Sequence, residues 1–217
     1  MSTDRPKRRV APIRPREWPP GMQEAMVAAY RPANPRHPVP PRDPKSPQGL
    51  NVMGVLAYHP QLTEAFNHLI THALYFSALT PRHRELLVLR VAHRRDAVYE
   101  WAQHVYQAGI VGISDEEVAR IRVGPNAKGW APLERALLAA ADELVSDARI
   151  ADETYNALAR ELDTQQIMDV VFTVGTYDVF AMALRTFDVE LDEDLRKYAD
   201  DLDADDLDAE DLDAGDH

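Results

Sequence analysis

The fold is decided by residues 84–109, which read RELLVLRVAHRRDAVYEWAQHVYQAG in a chain of 217 residues. The apolar residues in the first half of this stretch are almost continuous, which predicts a helix that is buried around most of its circumference. Polar residues at 94–96 interrupt the run, and a second segment with helical periodicity follows them. The pattern therefore predicts two neighbouring helices, at 81–93 and 96–109, packed as an antiparallel hairpin.

Three residues of this hairpin are candidates for chemistry. Glu85 shares a helix face with Val88 and Ala92, so its carboxylate is costly to bury unless it is paired or protonated. Glu100 and His104 are four residues apart and therefore share a face of the second helix. If the helices pack as a hairpin, Glu85 approaches His104, and the resulting Glu–His–Glu cluster suits proton transfer. A buried polar network that only holds the two helices together fits the same spacing equally well.

The rest of the chain between residues 49 and 197 also has a helical pattern. Helix starts are indicated by Thr80 before Pro81, by the capping box Ser114 to Glu117, and by Pro132. No alternation typical of strands and hairpins competes with these signals. The sequence therefore predicts an all-α protein with helices at 21–30, 52–57, 60–76, 81–93, 96–109, 115–123, 132–147, 152–161 and 164–186.

The two ends of the chain differ in composition from this helical part. Twelve of the sixteen prolines fall in the first 47 residues, which favours an extended arm around one short helix. Residues 199–217 hold ten acids and no lysine or arginine, and without them the net charge of −12 becomes −2. We therefore predict a Pro-rich basic arm at 1–47, a helical domain at 48–197 and a disordered acidic tail at 198–217.

Composition also narrows the partners and the location that are expected. The chain has no cysteine, which excludes disulfides, thiolate metal sites and cysteine nucleophiles within it. Its start lacks the apolar run of a signal peptide, and no stretch approaches the roughly 20 apolar residues of a membrane span. The basic start also lacks the interleaved aromatic residues typical of nucleic-acid binding. These features predict a soluble, cytoplasmic protein without a membrane or nucleic-acid partner.

Two histidines, His68 and His72, have the i, i+4 spacing of metal ligands on a helix. The residue after His68 is Leu69 rather than the glutamate of a zinc-protease motif, and no third ligand is evident. We therefore predict no metal site, and we expect both histidines to be half-buried or on the surface.

The last apolar segment, residues 162–187, loosely echoes residues 79–109. Tyr177-Asp178 stands where the first copy has Tyr99-Glu100, and this suggests a second, similar pair of helices. Three apolar residues of the segment are expected in the core, namely Val179, Phe180 and Met182.

The motif of the hairpin combines Arg-Glu-Leu, a polar break, Tyr-Glu-Trp-x-x-His and a small residue before Gly109, with nineteen residues from Glu85 to His104. This combination resembles the core motif of the carboxymuconolactone decarboxylase family, which is related to alkylhydroperoxidase-like proteins. The specific resemblance covers residues 81–109, with a looser helical similarity from about 50 to 190. It implies an alkylhydroperoxidase-like helical bundle built around a helical hairpin. It also implies a homo-oligomer, usually a trimer or hexamer, with sites near subunit contacts.

The resemblance also separates two branches of chemistry. The peroxidase branch carries Cys-x-x-Cys-x-x-x-His, whereas this chain has Ala97 and Glu100 at the cysteine positions before His104. Thiol peroxidase and disulfide reductase chemistry are therefore excluded. The roles of the family's glutamate and histidine map onto Glu85 and His104.

The reaction that the resemblance implies is the decarboxylation of a small carboxylated lactone, which needs no metal or organic cofactor. In this interpretation His104 is the catalytic acid, Glu85 orients it, and Glu100 is a second acid or base. The chain would then be a carbon–carbon lyase that transfers a proton to the carbon left by the lost carboxylate.

Aromatic and basic neighbours complete the expected site. Tyr99 and Trp101 are expected to line the substrate pocket, and Arg90 or Arg84 to hold a substrate carboxylate, although a salt bridge explains either arginine as well. Two alternatives stay open: a cofactor-independent isomerase or hydrolase that uses the same pair, and a non-catalytic oligomeric binding protein. A closed contact between acid and imidazole without an adjoining cavity favours the last alternative. An apolar pocket lined by the two aromatic residues and the histidine favours an enzyme.

Overall fold

The computed structural model describes residues 9–30, 34–39 and 46–199, with the side chains of 27–30 excepted. Over these residues the chain is helical and forms no strand, so the predicted all-α class is confirmed. In chain order the α-helices are α1 (Met22–Tyr30), α2 (Leu50–Leu56), α3 (Pro60–Thr71), α4 (Pro81–Arg94), α5 (Val98–Ile110), α6 (Asp115–Val123), α7 (Pro132–Asp147), α8 (Asp152–Leu158) and α9 (Thr164–Thr186).

Short turns of other helix types join or flank these elements. A π-helical turn, His72–Phe76, continues α3 where the sequence predicted an unbroken helix to residue 76. Two 3-10 turns lie nearer the ends of the described chain, at Pro15–Glu17 and Glu193–Tyr198. Most of the predicted acidic tail, from residue 200 onward, lies outside the described residues.

The helices begin at the capping residues that the sequence indicates. The Thr80 hydroxyl accepts the backbone N–H of His83 at the start of α4, and Pro81 occupies the first turn. At the start of α6, the Ser114 hydroxyl accepts the N–H of Glu117, and the Glu117 carboxylate accepts the N–H of Ser114 in return. These caps satisfy backbone donors that the first turn of a helix leaves free.

Helix α4 is the centre of the bundle, and apolar residues on all its sides are buried. One side packs with α7 and α9 through Leu87, Val88 and Val91. Another side packs with α5 and α6 through Leu86 and Leu89. The almost continuous apolar run in the sequence is therefore explained by contacts around the whole helix.

Helix α9 has the predicted bounds, 164–186, but two other expectations for this segment are wrong. Because it is one continuous helix, the echo of the hairpin does not correspond to a second pair of helices. The expectation that Val179 and Met182 are core residues is wrong, because they are 54% and 50% exposed. Only one side of α9 faces the bundle, and its outer side carries a stripe of exposed apolar residues, which we call the α9 stripe: Met168, Val171, Phe172, Val179 and Met182.

By length and composition alone, α9 is the one helix of the described ranges that is long and apolar enough to cross a membrane. The expectation that no segment approaches this length is therefore wrong. About half (50%) of its apolar window is buried inside the bundle, as in the core helix of a soluble protein. Its two acids, Asp169 and Asp178, are paired with His72 and Arg95 within the fold.

The N-terminal arm lies across α2. The backbone N–H of Ile13 donates to the carbonyl of Gly54 at 3.0 Å, and the Tyr58 hydroxyl donates to the carbonyl of Ala11 at 3.1 Å. A Cβ atom on Gly54 would lie 2.6 Å from the carbonyl oxygen of Ile13, so only glycine lets the arm approach this closely. The start of α2 is held from the other side, where the N–H of Asn51 donates to the carboxylate of Asp192.

Candidate active site

The predicted approach of Glu85 to His104 is confirmed, because Nδ1 of His104 lies 2.6 Å from Oε2 of Glu85. The contact joins α4 to α5 across the hairpin, nineteen residues apart in sequence. The Glu85 side chain is fully buried, and that of His104 is 8% exposed. A pair this short and this buried fixes the orientation of the imidazole ring.

Arg84 gives Glu85 a second charged partner. Its Nε donates to Oε1 of Glu85 at 2.9 Å, and its guanidinium also donates to the carbonyl of Leu74 in the π-helical turn at 3.0 Å. Burial alone would raise the pKa of Glu85, but His104 and then Arg84 outweigh it and hold that pKa below its ordinary value. Glu85 is therefore a carboxylate that accepts from two neighbours.

Glu100 is buried on α5, the helix of His104, and within the part of the chain that the structure describes it has no oppositely charged partner like those of Glu85. It lies one turn before His104 on α5 and is 1% exposed, and neither of its carboxyl oxygens has a hydrogen-bond partner among the described residues. Burial raises the pKa of Glu100 well above its ordinary value, and the carboxylate of Asp178 raises it further. Burial therefore favours the protonated, neutral form of Glu100 over the carboxylate.

Tyr177 of α9 contacts the same group, and sequence reasoning did not assign it to the site. Its ring meets the His104 ring edge-on, with 5.0 Å between the centroids. Burial, and then the charge of Glu85, raise the pKa of the Tyr177 hydroxyl. The only sequence signal for this residue was the Tyr-Asp pair at 177–178 in the echo of the hairpin. That echo was interpreted as a second pair of helices, whereas Tyr177 lies within the single helix α9.

The expected pocket between Tyr99 and Trp101 is not formed. Tyr99 packs with Val52 and Leu195, and its hydroxyl donates to Asp192 at 2.5 Å. Trp101 is fully buried in another cluster, between α4, α5 and α6. Two residues at i and i+2 point about 200° apart around a helix, so they do not line one cavity here.

Arg90 is also placed away from Glu85 and His104. Its Nε and one terminal nitrogen donate to both oxygens of Asp142, at 2.7 and 2.9 Å. Its other terminal nitrogen donates to the carbonyls of Ile121 and Arg122. The expectation that Arg90 holds a substrate carboxylate is therefore corrected to a structural role, and Arg84 is the arginine beside the pair.

Two cavities open on the surface of the described residues, and neither is lined by Glu85, Glu100 or His104. One, of about 390 Å³, lies beside Arg9, Arg95 and Arg185. The other, of about 250 Å³, lies between α3, the π-helical turn and α9, and its lining residues are Leu69, His72, Ala73, Gln165, Met168, Asp169, Phe172, Thr173 and Thr176. With side chains that are 0% and 8% exposed, Glu85 and His104 are almost closed to solvent within the single chain.

The histidine pair on α3 does not form a metal site. Nε2 of His72 lies 2.9 Å from the carboxylate of Asp169, whereas His68 is exposed and lies outside that contact. No group of three or more histidines and acids that could hold a metal ion occurs within the described ranges.

Comparison with known protein families gives a match to this part of the chain. The family model "CMD: Carboxymuconolactone decarboxylase family" matches residues 60–143, from α3 into α7, and this range includes Glu85, Glu100 and His104. This part of the chain is similar to the carboxymuconolactone decarboxylase family. The resemblance seen in the hairpin motif is therefore confirmed, and it extends over more of the chain than the motif itself.

Solved structures show that the fold is alkylhydroperoxidase-like. The debrominase Bmp8 without ligand matches with a TM-score of 0.69 and 14% identity, over 89% of this chain and 97% of that chain. A peroxidase-related protein with an alkylhydroperoxidase AhpD core, from Ralstonia eutropha JMP134, matches with a TM-score of 0.61 and 18% identity. That match covers 76% of this chain and 96% of the other.

Bmp8 has also been solved as a variant in complex with 2,3,4-tribromopyrrole, and that structure matches with a TM-score of 0.67 and 15% identity. It covers 89% of this chain and 96% of the other chain. No curated protein sequence matches the chain. At these identities the matches establish the fold of this protein and leave its reaction open.

Proposed function

We propose that this protein is a cofactor-independent, decarboxylase-like lyase that acts on a small carboxylated lactone or a related organic acid. The observation that carries the proposal is the environment of Glu100. It is buried, has no hydrogen-bond partner among the described residues, has a raised pKa, and lies one helical turn from a buried Glu85–His104 pair. The catalytic residues in this proposal are Glu85, Glu100 and His104.

The cost of Glu100 argues against a purely structural role for it. A buried polar group without a partner costs about 1–3 kcal/mol relative to one that is hydrogen-bonded. A leucine or methionine would fill the same space without that cost. Strongly shifted carboxyl groups beside a second titratable residue are typical of sites that transfer protons.

The three residues and Arg84 supply what the reaction needs. Loss of carbon dioxide breaks the bond between the carboxylate and its carbon and leaves the electron pair on that carbon, delocalised as a dienolate. In this proposal Glu100, rather than His104 as expected from the sequence, gives its proton to the carbon. His104, oriented by Glu85, then passes a proton taken up from the solvent back to Glu100. Arg84 is the cation beside the cluster, and its side chain and that of His104 keep 9% and 8% of their surface exposed. We propose that the substrate enters from that side.

The class of substrate has support from the comparison with the debrominase. Its bound 2,3,4-tribromopyrrole is a small ring, and a small cyclic substrate is also what the carboxymuconolactone decarboxylase family implies. Because this chain has no cysteine, any reaction that it catalyses on such a ring proceeds without a thiol of its own.

The test is the release of carbon dioxide from a panel of carboxylated lactones by the full chain. We expect Glu100→Gln and His104→Ala to lower kcat by about 100-fold or more, which is typical for the loss of a general acid. Glu116→Gln, on the exposed side of α6, is the matched control and should keep full activity. Full turnover in both site variants, with the fold checked by circular dichroism, would contradict the proposal.

A non-catalytic binding protein is the second candidate. It is favoured by the closed Glu85–His104 contact, since neither surface cavity is lined by that pair. A cofactor-independent isomerase or hydrolase on the same pair is the remaining alternative, and turnover without release of carbon dioxide would indicate it. Absence of turnover on the whole panel, together with saturable binding of one of its members, would favour the binding protein.

We also propose that the protein is a homo-oligomer, a trimer or a hexamer. The part of the α9 stripe outside the cavity between α3 and α9, namely Val171, Val179 and Met182, supports this proposal. Neighbouring exposed apolar residues on one helix are typical of a surface that another chain covers. A monomer in size-exclusion chromatography with light scattering would contradict it.

A further inference from the structure

We propose that the cavity between α3 and α9, lined by His72 and Asp169, is a binding site for a small aromatic molecule with a hydroxyl group. The hydroxyl would donate a hydrogen bond to Nδ1 of His72. This site is separate from Glu85 and His104, and the proposal does not depend on the reaction proposed above.

The orientation of the His72 ring is fixed by Asp169. Nε2 of His72 lies 2.9 Å from Oδ1 of Asp169, and the other carboxylate oxygen accepts the backbone N–H of Ala78 at 2.5 Å. Because a carboxylate can only accept, the ring proton lies on Nε2. The Asp169 side chain is 8% exposed, so its position is set by the fold. The proton of the neutral ring is therefore held away from Nδ1.

The other ring nitrogen is left available to a ligand. Nδ1 of His72 has no hydrogen bond to any described residue, and the side chain lines the cavity while 52% of its surface is exposed. In the neutral ring Nδ1 is an acceptor only. Because the His72 side chain lines the cavity, a ring nitrogen that can accept a hydrogen bond favours ligands that carry a donor.

The other walls of the cavity favour an apolar, aromatic body for the ligand. Leu69, Met168 and Phe172 supply apolar surface, and all three are exposed around the opening. The face of Phe172 can stack on an aromatic ring. The volume is about 250 Å³, and a cavity of roughly 150 Å³ is known to be enough for benzene, so one or two fused rings fit.

The backbone at His72 is irregular in a way that suits a site. The π-helical turn starts at His72, and the N–H of Ser77 donates to the His72 carbonyl at 2.8 Å. Such turns interrupt regular helices at some cost and are frequent at functional sites. The turn follows α3 and ends close to Ala78, whose backbone N–H donates to Asp169. Asp169 therefore contacts both the start of the turn, through His72, and the residues just after its end, through Ala78.

The experiment compares two ligands that differ only in the donor. The full chain is titrated by calorimetry with 2-naphthol and with 2-methoxynaphthalene, at about pH 8, where a free imidazole is neutral. We expect 2-naphthol to bind about tenfold more tightly, which is what one hydrogen bond contributes. His72→Phe should remove that difference. His68→Phe, one turn earlier on α3 and outside the cavity lining, should leave it unchanged.

Two further variants keep the test independent of folding and of the proposed reaction. Phe172→Ala, at a side chain that is 57% exposed, should weaken both ligands equally because it removes part of the wall. Glu100→Gln should leave both affinities unchanged, whether or not the lyase proposal holds. Equal affinity of the wild-type protein for the two ligands would overturn the proposal, as would the absence of saturable binding or an equal loss in His68→Phe.

Discussion

The protein holds two histidine–carboxylate pairs that are similar in geometry and opposite in surroundings. His104 and Glu85 lie 2.6 Å apart with almost no exposed surface, and a second cation, Arg84, contacts the carboxylate. His72 and Asp169 lie 2.9 Å apart with the imidazole half exposed beside a cavity. The comparison shows that the burial of a histidine–carboxylate pair decides what its hydrogen bond does in the protein. In the closed pair the contact orients the imidazole and lowers the pKa of Glu85, whereas the open pair leaves one ring nitrogen of His72 without a partner among the described residues.

The largest difference between the two pairs should appear when the closed pair is broken. Glu85→Ala leaves Arg84 and His104 buried without their shared partner, and removal of one member of a buried ion pair costs about 3–5 kcal/mol. We expect a loss of this size in the free energy of unfolding, measured with urea at neutral pH. Glu116→Ala on the surface of α6 is the control. A cost below about 1 kcal/mol, typical of an exposed pair, would show that the buried pair contributes no more to stability than the exposed one, and would contradict the distinction between them.

A pH series sharpens the comparison through Glu100, the uncharged acid next to the closed pair. Its pKa is raised above the ordinary value of 4.5, so above pH 4.5 the folded protein holds a proton that the unfolded chain has lost. The stability that this proton contributes is complete below pH 4.5 and is lost as the pH rises toward the folded pKa. The loss amounts to about 1.4 kcal/mol per pH unit in that window.

Glu100→Gln removes this titration. The variant should therefore gain stability relative to the wild type as the pH rises above 4.5, until the pH passes the folded pKa of Glu100. Urea unfolding at three pH values measures it, and Glu116→Gln is the control for a carboxyl group on the surface. Parallel pH profiles for wild type and Glu100→Gln would show that Glu100 is ionised in the folded protein.

The smallest effect is expected when the open pair is broken. His72→Ala removes an imidazole that is 52% exposed, and exposed or half-exposed ion pairs contribute about 0–1 kcal/mol. We expect a loss in this range by urea unfolding, with the loss of 2-naphthol affinity as the main consequence. A cost as large as that of Glu85→Ala would mean that the open pair also stabilises the fold, which would weaken the distinction between the two pairs.

The parts that sequence reasoning predicted are those that neighbours in the chain determine. The apolar run of α4 and the i, i+4 spacing of Glu100 and His104 require only helical geometry, and they were enough to bring Glu85 to the imidazole. The part that it missed depends on contacts between distant segments. Asp142, which engages Arg90, is 52 residues away, and no local pattern indicates that partner.

Helix α9 shows the same limit for burial. Its apolar residues surround the helix, so hydropathy does not say whether Val170 or Val179 faces the bundle. In the structure Val170 is fully buried and Val179 is 54% exposed, because only one side of the helix contacts α4 and α7. The contact of Tyr177 with His104 depends on that choice of face and could not be predicted without it.

The position of α2 has a consequence for anyone who trims this protein. The N-terminal arm binds the helix through the carbonyl of Gly54, and the C-terminal segment binds its first turn through Asp192, which also accepts from Tyr99 of α5. Both ends of the described chain therefore clamp one seven-residue helix. Deletion of either end, a common step before crystallisation, would remove contacts that hold α2. An affinity tag should therefore be added to the intact ends and should not replace them.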